Sequence, residues 1–217
     1  MDWQSWHEKY DQPGSRLAQR LKVVQALIRS VLDGSPAGPL RVVSLCAGQA
    51  RDLLEVLAGH ERRSDVRARL VELDAANAAQ AVQTARAAGL SGVEVVTGDA
   101  ALADHYRDLA PADLVLICGV FGNVTDEDIA RTIDACAGLC RTGGSVVWTR
   151  NRRAPDKVPL VCARFEANGF ERRWLSDPGE EFGVGEHRFT GAPRPLAAGT
   201  RMFDFVGYDV LRQREPG

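Results

Sequence analysis

Apolar residues recur at three- and four-residue spacing from Pro13 to Asp33, where Leu17, Leu21, Val24, Ile28 and Val31 mark one face of an amphipathic helix. The segment G-S-P-A-G-P from Gly34 to Pro39 ends it. Beyond it, short continuous apolar runs alternate with helical stretches. Leu40 to Leu45 reads as a buried strand, Asp52 to Ala58 as a helix and Arg67 to Leu73 as a second strand. Ala75 to Ala88 is an alanine-rich helix closed by Gly89. Val93 to Thr97 is a third strand. D-L-V-L-I-C from Asp113 to Cys118 is a fourth, and its unbroken apolar character suits a central parallel position. Thr125 caps a helix carrying Asp126, Glu127 and Asp128 in its first turn, where carboxylates complement the helix dipole and Asp128 can close a capping box. That helix runs to about Cys140. The turn R-T-G-G then leads into a fifth strand ending at Arg150, and Pro155 and Asp156 open a helix that Gly169 stops. Two strand-like runs finish the chain, Glu171 to Leu175 and Arg201 to Val210, separated by a Gly- and Pro-rich connection from Ser176 to Gly199.

Repeated strand–helix units predict an α/β, doubly wound, Rossmann-like sheet with right-handed crossovers. The two closing strands have no helix between them, so they can join only as an antiparallel pair on a mostly parallel, seven-stranded sheet. At 217 residues and 45% hydrophobic content, the chain suits a single globular domain over residues 40–217. Residues 1–39 read as an N-terminal helical extension or lid.

Candidate chemistry concentrates where the first strand ends. R-V-V-S-L-C-A-G-Q-A-R-D, Arg41 to Asp52, runs from an apolar strand through a turn of small residues into a helix opening on Asp52. The next strand ends on acid, A-R-L-V-E-L-D from Ala68 to Asp74. Small residues let backbone N–H groups approach a ligand, and a carboxylate at the following strand tip can accept from ribose hydroxyls. The pairing points to a nucleoside cofactor. Of the turn's glycines only Gly48 is present, with Cys46 and Ala50 flanking it, so the G-x-G-x-x-G fingerprint of nicotinamide enzymes is absent. A residue other than glycine at those flanking positions costs little if its φ is negative and is strained if φ is positive.

The net charge of −2, with basic residues scattered along the chain, offers no concentrated positive face for nucleic acid. No apolar run approaches the roughly 18 residues of a membrane span, and the polar, aromatic N-terminus has no signal-like core, so a cytoplasmic protein without membrane partners is expected. Cys46, Cys118, Cys136, Cys140 and Cys162 lie mostly in apolar runs, as reduced core thiols do. Cys136 and Cys140 sit one helical turn apart but lack a second ligand pair, so no metal site is expected. Basic residues are nearly all arginine, with lysine only at positions 9, 22 and 157, a skew that reads as GC-rich bacterial genome composition.

The sheet order, S-L-C-A-G-x-x-R-D, the downstream G-V-F-G-N and W-T-R, and the N-terminal W-H-x-K-Y-D resemble class I S-adenosylmethionine-dependent methyltransferases, specifically a bacterial group acting on unnamed substrates. The resemblance covers about Leu40 to the end. Family members usually read D/E-x-G-x-G-x-G in the first turn; here Ser44 replaces the acid and Cys46 and Ala50 replace two glycines. By this resemblance S-adenosyl-L-methionine is the cofactor. Cys46, Ala47 and Gly48 would form its turn, and Glu72, followed by Leu73, would hold the ribose hydroxyls. Asp99, followed by Ala100, would take the adenine amino group, and Cys118, Gly119, Val120 and Phe121 would border the methionyl end. Arg51 would pair with the methionine carboxylate. Asp52 reads as a cofactor contact or simply as the helix cap, and Asp74 as the cap of the alanine-rich helix.

Methyl transfer from a sulfonium is an in-line displacement that needs a nucleophile held near the methyl carbon with water excluded, plus a base only if the acceptor must lose a proton. Ligands in this architecture gather beyond the carboxyl ends of the strands. There, Asn123 of C-G-V-F-G-N-V offers a donor and an acceptor, unless it bonds only its own turn. T-R-N-R-R from Thr149 to Arg153 offers arginines for an anionic substrate or a solvated loop. Trp3, Trp6, His7 and Tyr10 share one helical face at the N-terminus, as a lid, a packing brace or a homodimer contact. His187, in the Ser176 to Gly199 connection, is the leading general-base candidate and His7 the second; Asp104 and His105 are weaker. The expected activity is methyl transfer to an oxygen or nitrogen of a small-molecule acceptor. The alternatives are a nucleoside-binding protein without transfer, and an NAD-dependent oxidoreductase.

Overall fold

A computed structural model describes residues 14–207 and 210–211. Its centre is a seven-stranded sheet in the order β3-β2-β1-β4-β5-β7-β6. The strands are β1 (Leu40–Leu45), β2 (Val66–Glu72), β3 (Val93–Thr97), β4 (Ala112–Ile117), β5 (Cys140–Asn151), β6 (Phe170–Leu175) and β7 (Phe182–Phe189). The first five are parallel, while β7 runs antiparallel between β5 and β6. The doubly wound sheet with an antiparallel closing pair is therefore the architecture observed.

Helices α1 (Arg16–Gly34), α2 (Arg51–Gly59) and α3 (Ala75–Ala87) bury Val24, Ile28, Leu53, Leu57 and Ala81 against Val42, Leu114, Leu116 and Val147 of the sheet. Helices α4 (Asp126–Leu139) and α5 (Val158–Ala167) cover the opposite face, where Ile129, Ile133, Val161 and Phe165 meet Val43, Val115, Ile117 and Trp148. Consecutive strand residues thus feed two cores, which is why β4 had to be apolar from Leu114 to Ile117. Helix α1 shares its apolar cluster with α2, α3 and the sheet.

Local chemistry explains most helix ends. Ser15 Oγ accepts from Ala18 N at 3.1 Å and Asp74 Oδ1 from Ala76 N and Asn77 N, both at 2.9 Å. Thr125 Oγ1 accepts from Asp128 N at 3.2 Å, as expected of a cap, and its hydroxyl donates to the Asp128 carboxylate at 3.0 Å, where a capping box would take the Thr125 backbone N–H. Asp52 is different: α2 begins at Arg51 with Ala50 as its cap, and the backbone amide Asp52 holds at 2.8 Å is that of its neighbour Leu53, not one two or three residues on. It is not the helix cap. Helix α5 starts at Val158, after Asp156 Oδ1 has accepted from Val158 N at 2.9 Å.

The seventh strand corrects the sequence reading. It lies at Phe182–Phe189, inside the expected connection, while residues 201–207 form an arm with one isolated bridge, Leu102 to Arg201, and Val210 is helical. Gly183 and Gly185 contributed to the reading of a Gly- and Pro-rich connection, but they are close-approach positions. A Cβ on Gly183 would lie 2.4 Å from Val158 Cγ2, and one on Gly185 would lie 2.4 Å from Trp148 Cζ2.

Candidate active site

A cavity of about 960 Å³ opens beyond the carboxyl ends of β1, β2, β4 and β5, with α1 and the C-terminal arm as its outer walls. Its floor is the turn after β1. Cys46, Gly48 and Ala50 all adopt left-handed backbone, with φ of 50°, 56° and 53°. The two residues replacing glycine are therefore strained, by about 1–2 kcal/mol each. Tertiary bonds impose the shape: Ala47 N donates to Val71 O at 3.0 Å, Ala50 N to Ala47 O at 2.8 Å and Gly48 N to Glu72 Oε2 at 2.7 Å.

Glu72 ends β2 almost fully buried, and its other oxygen accepts from Asp74 N at 2.8 Å. Both oxygens thus brace backbone amides, and each retains a second acceptor site for a ligand hydroxyl. Leu73, next in sequence, is 70% exposed although apolar, and it lies on the cavity rim. Asp99 follows β3, with Oδ1 accepting from Ala101 N at 3.0 Å. Tyr106 donates its hydroxyl to Ala100 O at 3.0 Å and so fixes this segment from the core. The Cys46 thiol is pushed up by burial and by the negative charges of Glu72 and Asp99, which keeps it protonated.

On the other side of the turn, Asp52 lines the cavity beside Cys118, whose thiol bonds its carboxylate. Burial raises the Asp52 pKa, against the lowering effects of these hydrogen bonds and of the Arg20 charge. Burial and the Asp52 charge likewise raise that of Cys118. Arg51 also faces the cavity, with its guanidinium 3.7 Å from Glu55 and its carbonyl accepting from Gln25 Nε2 at 3.2 Å.

The loop after β4 is tied to the tip of β5, since Gly119 N donates to Thr149 Oγ1 at 2.9 Å and Arg150 donates to Phe121 O. Asn123 lines the cavity while its amide donates to Gly119 O at 2.7 Å, so it also shapes its own turn.

Most of the expected cofactor residues therefore converge: Cys46, Ala47, Gly48, Arg51, Asp52, Glu72, Leu73, Asp99, Ala100, Cys118 and Gly119 all border one cavity, together with Asn123, expected on the catalytic side. Val120 and Phe121 do not. They are fully buried, and the Phe121 ring packs 6.1 Å from Trp148 and 6.3 Å from Phe165. Their apolar side chains belong to the core under α4 and α5, which outcompetes a wet cleft for them.

His187 is also misplaced by the sequence reading. It lies in β7 opposite Val146, five residues from the strand end that faces the cavity, or about 17 Å at 3.4 Å per residue. Its ring is fully buried, stacked 4.7 Å from Phe165, and its Nδ1 accepts from Trp148 Nε1 at 3.0 Å. It is a core histidine rather than a base at this site. Asp104 and His105 do not line the cavity either. His7 and Tyr10, with Trp3 and Trp6, lie outside the described residues.

Sequence reasoning missed two walls. Leu17, Arg20, Leu21 and Val24 of α1 border the cavity at three- and four-residue spacing, inside the stretch read as a helical extension or lid, but none of them was named as a site residue. Phe182, Phe203 and Phe205 close it from β7 and the C-terminal arm, and nothing local signalled that role.

A 3-2-1-4-5-7-6 sheet with an antiparallel final pair, and its cavity at the carboxyl edge beside an acid-tipped β2, defines the class I S-adenosylmethionine-dependent methyltransferase architecture. Residues 13–164 match the model of the family described as "Putative methyltransferase", and the chain belongs to that family. No curated protein matches the chain.

Several solved structures share the fold. Magnesium protoporphyrin IX methyltransferase from Synechocystis PCC 6803, solved with bound S-adenosylmethionine, superposes with a TM-score of 0.64 at 15% identity, over 86% of this chain and 90% of that one. An O-methyltransferase family protein from Burkholderia thailandensis gives 0.63 at 18% identity, over 80% of this chain and 56% of that chain, so it is considerably longer. The 1,6-didemethyltoxoflavin-N1-methyltransferase of the same organism, solved with its substrate and S-adenosylhomocysteine, gives 0.60 at 16%, over 79% and 78%.

Proposed function

We propose that this protein transfers the methyl group of S-adenosylmethionine to an oxygen or nitrogen of a small-molecule acceptor. The observation that carries this reading is the convergence of Glu72, Asp99 and the left-handed Cys46-to-Ala50 turn on one cavity. These residues fit the cofactor chemically. Glu72 supplies acceptors for ribose hydroxyls, Asp99 supplies one for an exocyclic amino group, and Asp52 and Arg51 supply opposite charges for the two ends of an amino acid zwitterion. When bound, S-adenosylmethionine supplies an electrophilic methyl group on a sulfonium.

The chain's own residues then have three tasks. The turn and Glu72 hold the nucleoside, and the loop from Cys118 to Asn123 with Thr149 shapes the space beside the reacting centre. Leu17, Leu21 and Phe182 exclude water from it. A volume of about 960 Å³ accommodates a cofactor of this size with a modest acceptor beside it. This favours a small molecule over a macromolecule. No helix among the described residues is long and apolar enough to cross a membrane.

Isothermal titration with S-adenosylmethionine, S-adenosylhomocysteine and NAD tests the cofactor. Micromolar binding of the first two, weakened about tenfold or more by Glu72→Ala with its folding confirmed by Tm, is the expected result. Binding of NAD alone, or of none of the three, refutes it. S-adenosylhomocysteine formation across a panel of phenols, amines and carboxylic acids then identifies the acceptor class.

A further inference from the structure

The chain beyond β7 returns across the outside of α4 to the adenine end of the cavity. Arg194 N donates to Ala137 O at 2.9 Å along the way. The arm then binds the segment after β3, with Met202 N donating to Ala101 O at 2.8 Å and Ala103 N to Thr200 O at 2.9 Å. Farther on, Val206 N and Gly207 N donate to Asn123 O at 2.9 and 3.0 Å. One segment thus spans from the residues beside Asp99 to the loop after β4.

Within the arm, Arg201 Nη1 donates to Asp99 Oδ2 at 2.9 Å. Its Nε is held by Asp204 Oδ1 at 2.6 Å, and Asp204 lies 3.7 Å from Arg131 of α4. Asp99 is therefore gripped from two sides, by Ala101 N on one oxygen and by Arg201 on the other. The Arg201 and Asp99 side chains are 45% and 37% exposed, so their pairing contributes little to folding. What it does is select one orientation of a carboxylate that faces the cavity.

We infer that Arg201 is a positioning residue for the cofactor's base: it holds Asp99 in the orientation that accepts from the exocyclic amino group of a 6-aminopurine nucleoside, so the C-terminal arm sets the site's preference for adenine. The inference rests on the methyltransferase reading. Arg201 does not touch the reacting atoms, and its effect passes through Asp99.

The test titrates the full-length protein with S-adenosylhomocysteine and with S-inosylhomocysteine, whose 6-oxo group replaces the donor by an acceptor. Wild type should prefer the adenosine compound by about tenfold or more. Arg201→Ala should weaken the adenosine compound about fivefold to tenfold and leave the inosine compound within about twofold, so that discrimination shrinks. Asp99→Asn should shrink it similarly, and the double variant should be no worse than Asp99→Asn alone, because the two residues act as one unit. Arg201→Lys, which keeps the charge, should recover part of the preference. Equal weakening of both compounds by Arg201→Ala, no weakening, or additive effects with Asp99→Asn would each overturn the inference. A wild type that binds neither compound removes the cofactor reading itself, which distinguishes that failure from a failure of Arg201 alone.

Discussion

Acidification should expose His187 as a structural group. Its imidazole is 0% exposed, Nδ1 is occupied by the Trp148 N–H at 3.0 Å, and Nε2 has no partner among the described residues. Burial, and secondarily the positive charge of Arg172, lowers its pKa from 6.5 to about 4. Between those values the unfolded chain binds a proton that the folded chain refuses. The histidine's contribution to stability is therefore fully present above the unfolded pKa and is lost as pH falls through the folded one. Proton linkage makes the loss about 2 kcal/mol at pH 5 and about 3 kcal/mol below pH 4. For a chain of this length the pH 5 value corresponds to a fall of about 4–8 °C in Tm. Thermal or urea unfolding of wild type and His187→Phe between pH 7.5 and 4.5 isolates this term, because the other groups titrate in both proteins. The variant should gain on wild type by about 2 kcal/mol between pH 7.5 and pH 5. Parallel curves would refute the argument. Once an acceptor is known, His187→Phe should also retain turnover, since the ring lies in the core and outside the cavity lining.

Asp52→Asn should behave with the opposite sign. The Asp52 pKa is raised in the fold, so its ionisation destabilises the protein as pH rises. The variant's unfolding midpoint should exceed that of wild type at pH 8, and the advantage should vanish below the ordinary carboxylate pKa. Ala50→Gly should stay within about 1 kcal/mol of wild type in urea unfolding, because relief of left-handed strain offsets the lost methyl burial and the added freedom of the unfolded chain. Ala50→Val, β-branched at a φ of 53°, should lose at least about 2 kcal/mol. Gly185→Ala, with its Cβ only 2.4 Å from Trp148 Cζ2, should lower stability by about 1–3 kcal/mol, seen as a reduced Tm.

Much of the scaffold was legible because its signals are local. The continuous apolar run of β4 announced a strand buried on both faces, and Thr125 and Asp74 announced helix starts through bonds spanning two or three residues. Glu72 was readable because it ends a strand at a sheet edge where ligands gather, and Asp99 through the family resemblance of V-T-G-D-A. The reading failed at Phe182–Phe189, where Gly183 and Gly185 fell in a stretch read as a Gly- and Pro-rich connection. They are glycines because Val158 and Trp148 press on them, and neither neighbour is close in sequence. His187 was then taken for a loop residue because its strand was not recognised. Val120 and Phe121 were assigned to the cavity by the family resemblance, although their apolar side chains belong under α4 and α5.

By itself, the sequence determined the order of strands and helices, the antiparallel closure, most caps and the acid-tipped edge that holds the candidate site. These follow from hydrophobic periodicity and from bonds made within a turn or two of chain, which the residue order encodes directly. The tertiary structure alone decided the left-handed φ of Cys46 and Ala50, the burial of His187 and the arrival of Arg201 at Asp99. Each of these depends on groups brought together from distant parts of the chain, as with Glu72 under Gly48, Trp148 beside His187, and an arm that closes across 102 residues. Contacts of that range exist only after the sheet has formed, and no local pattern records which side chains it will place side by side.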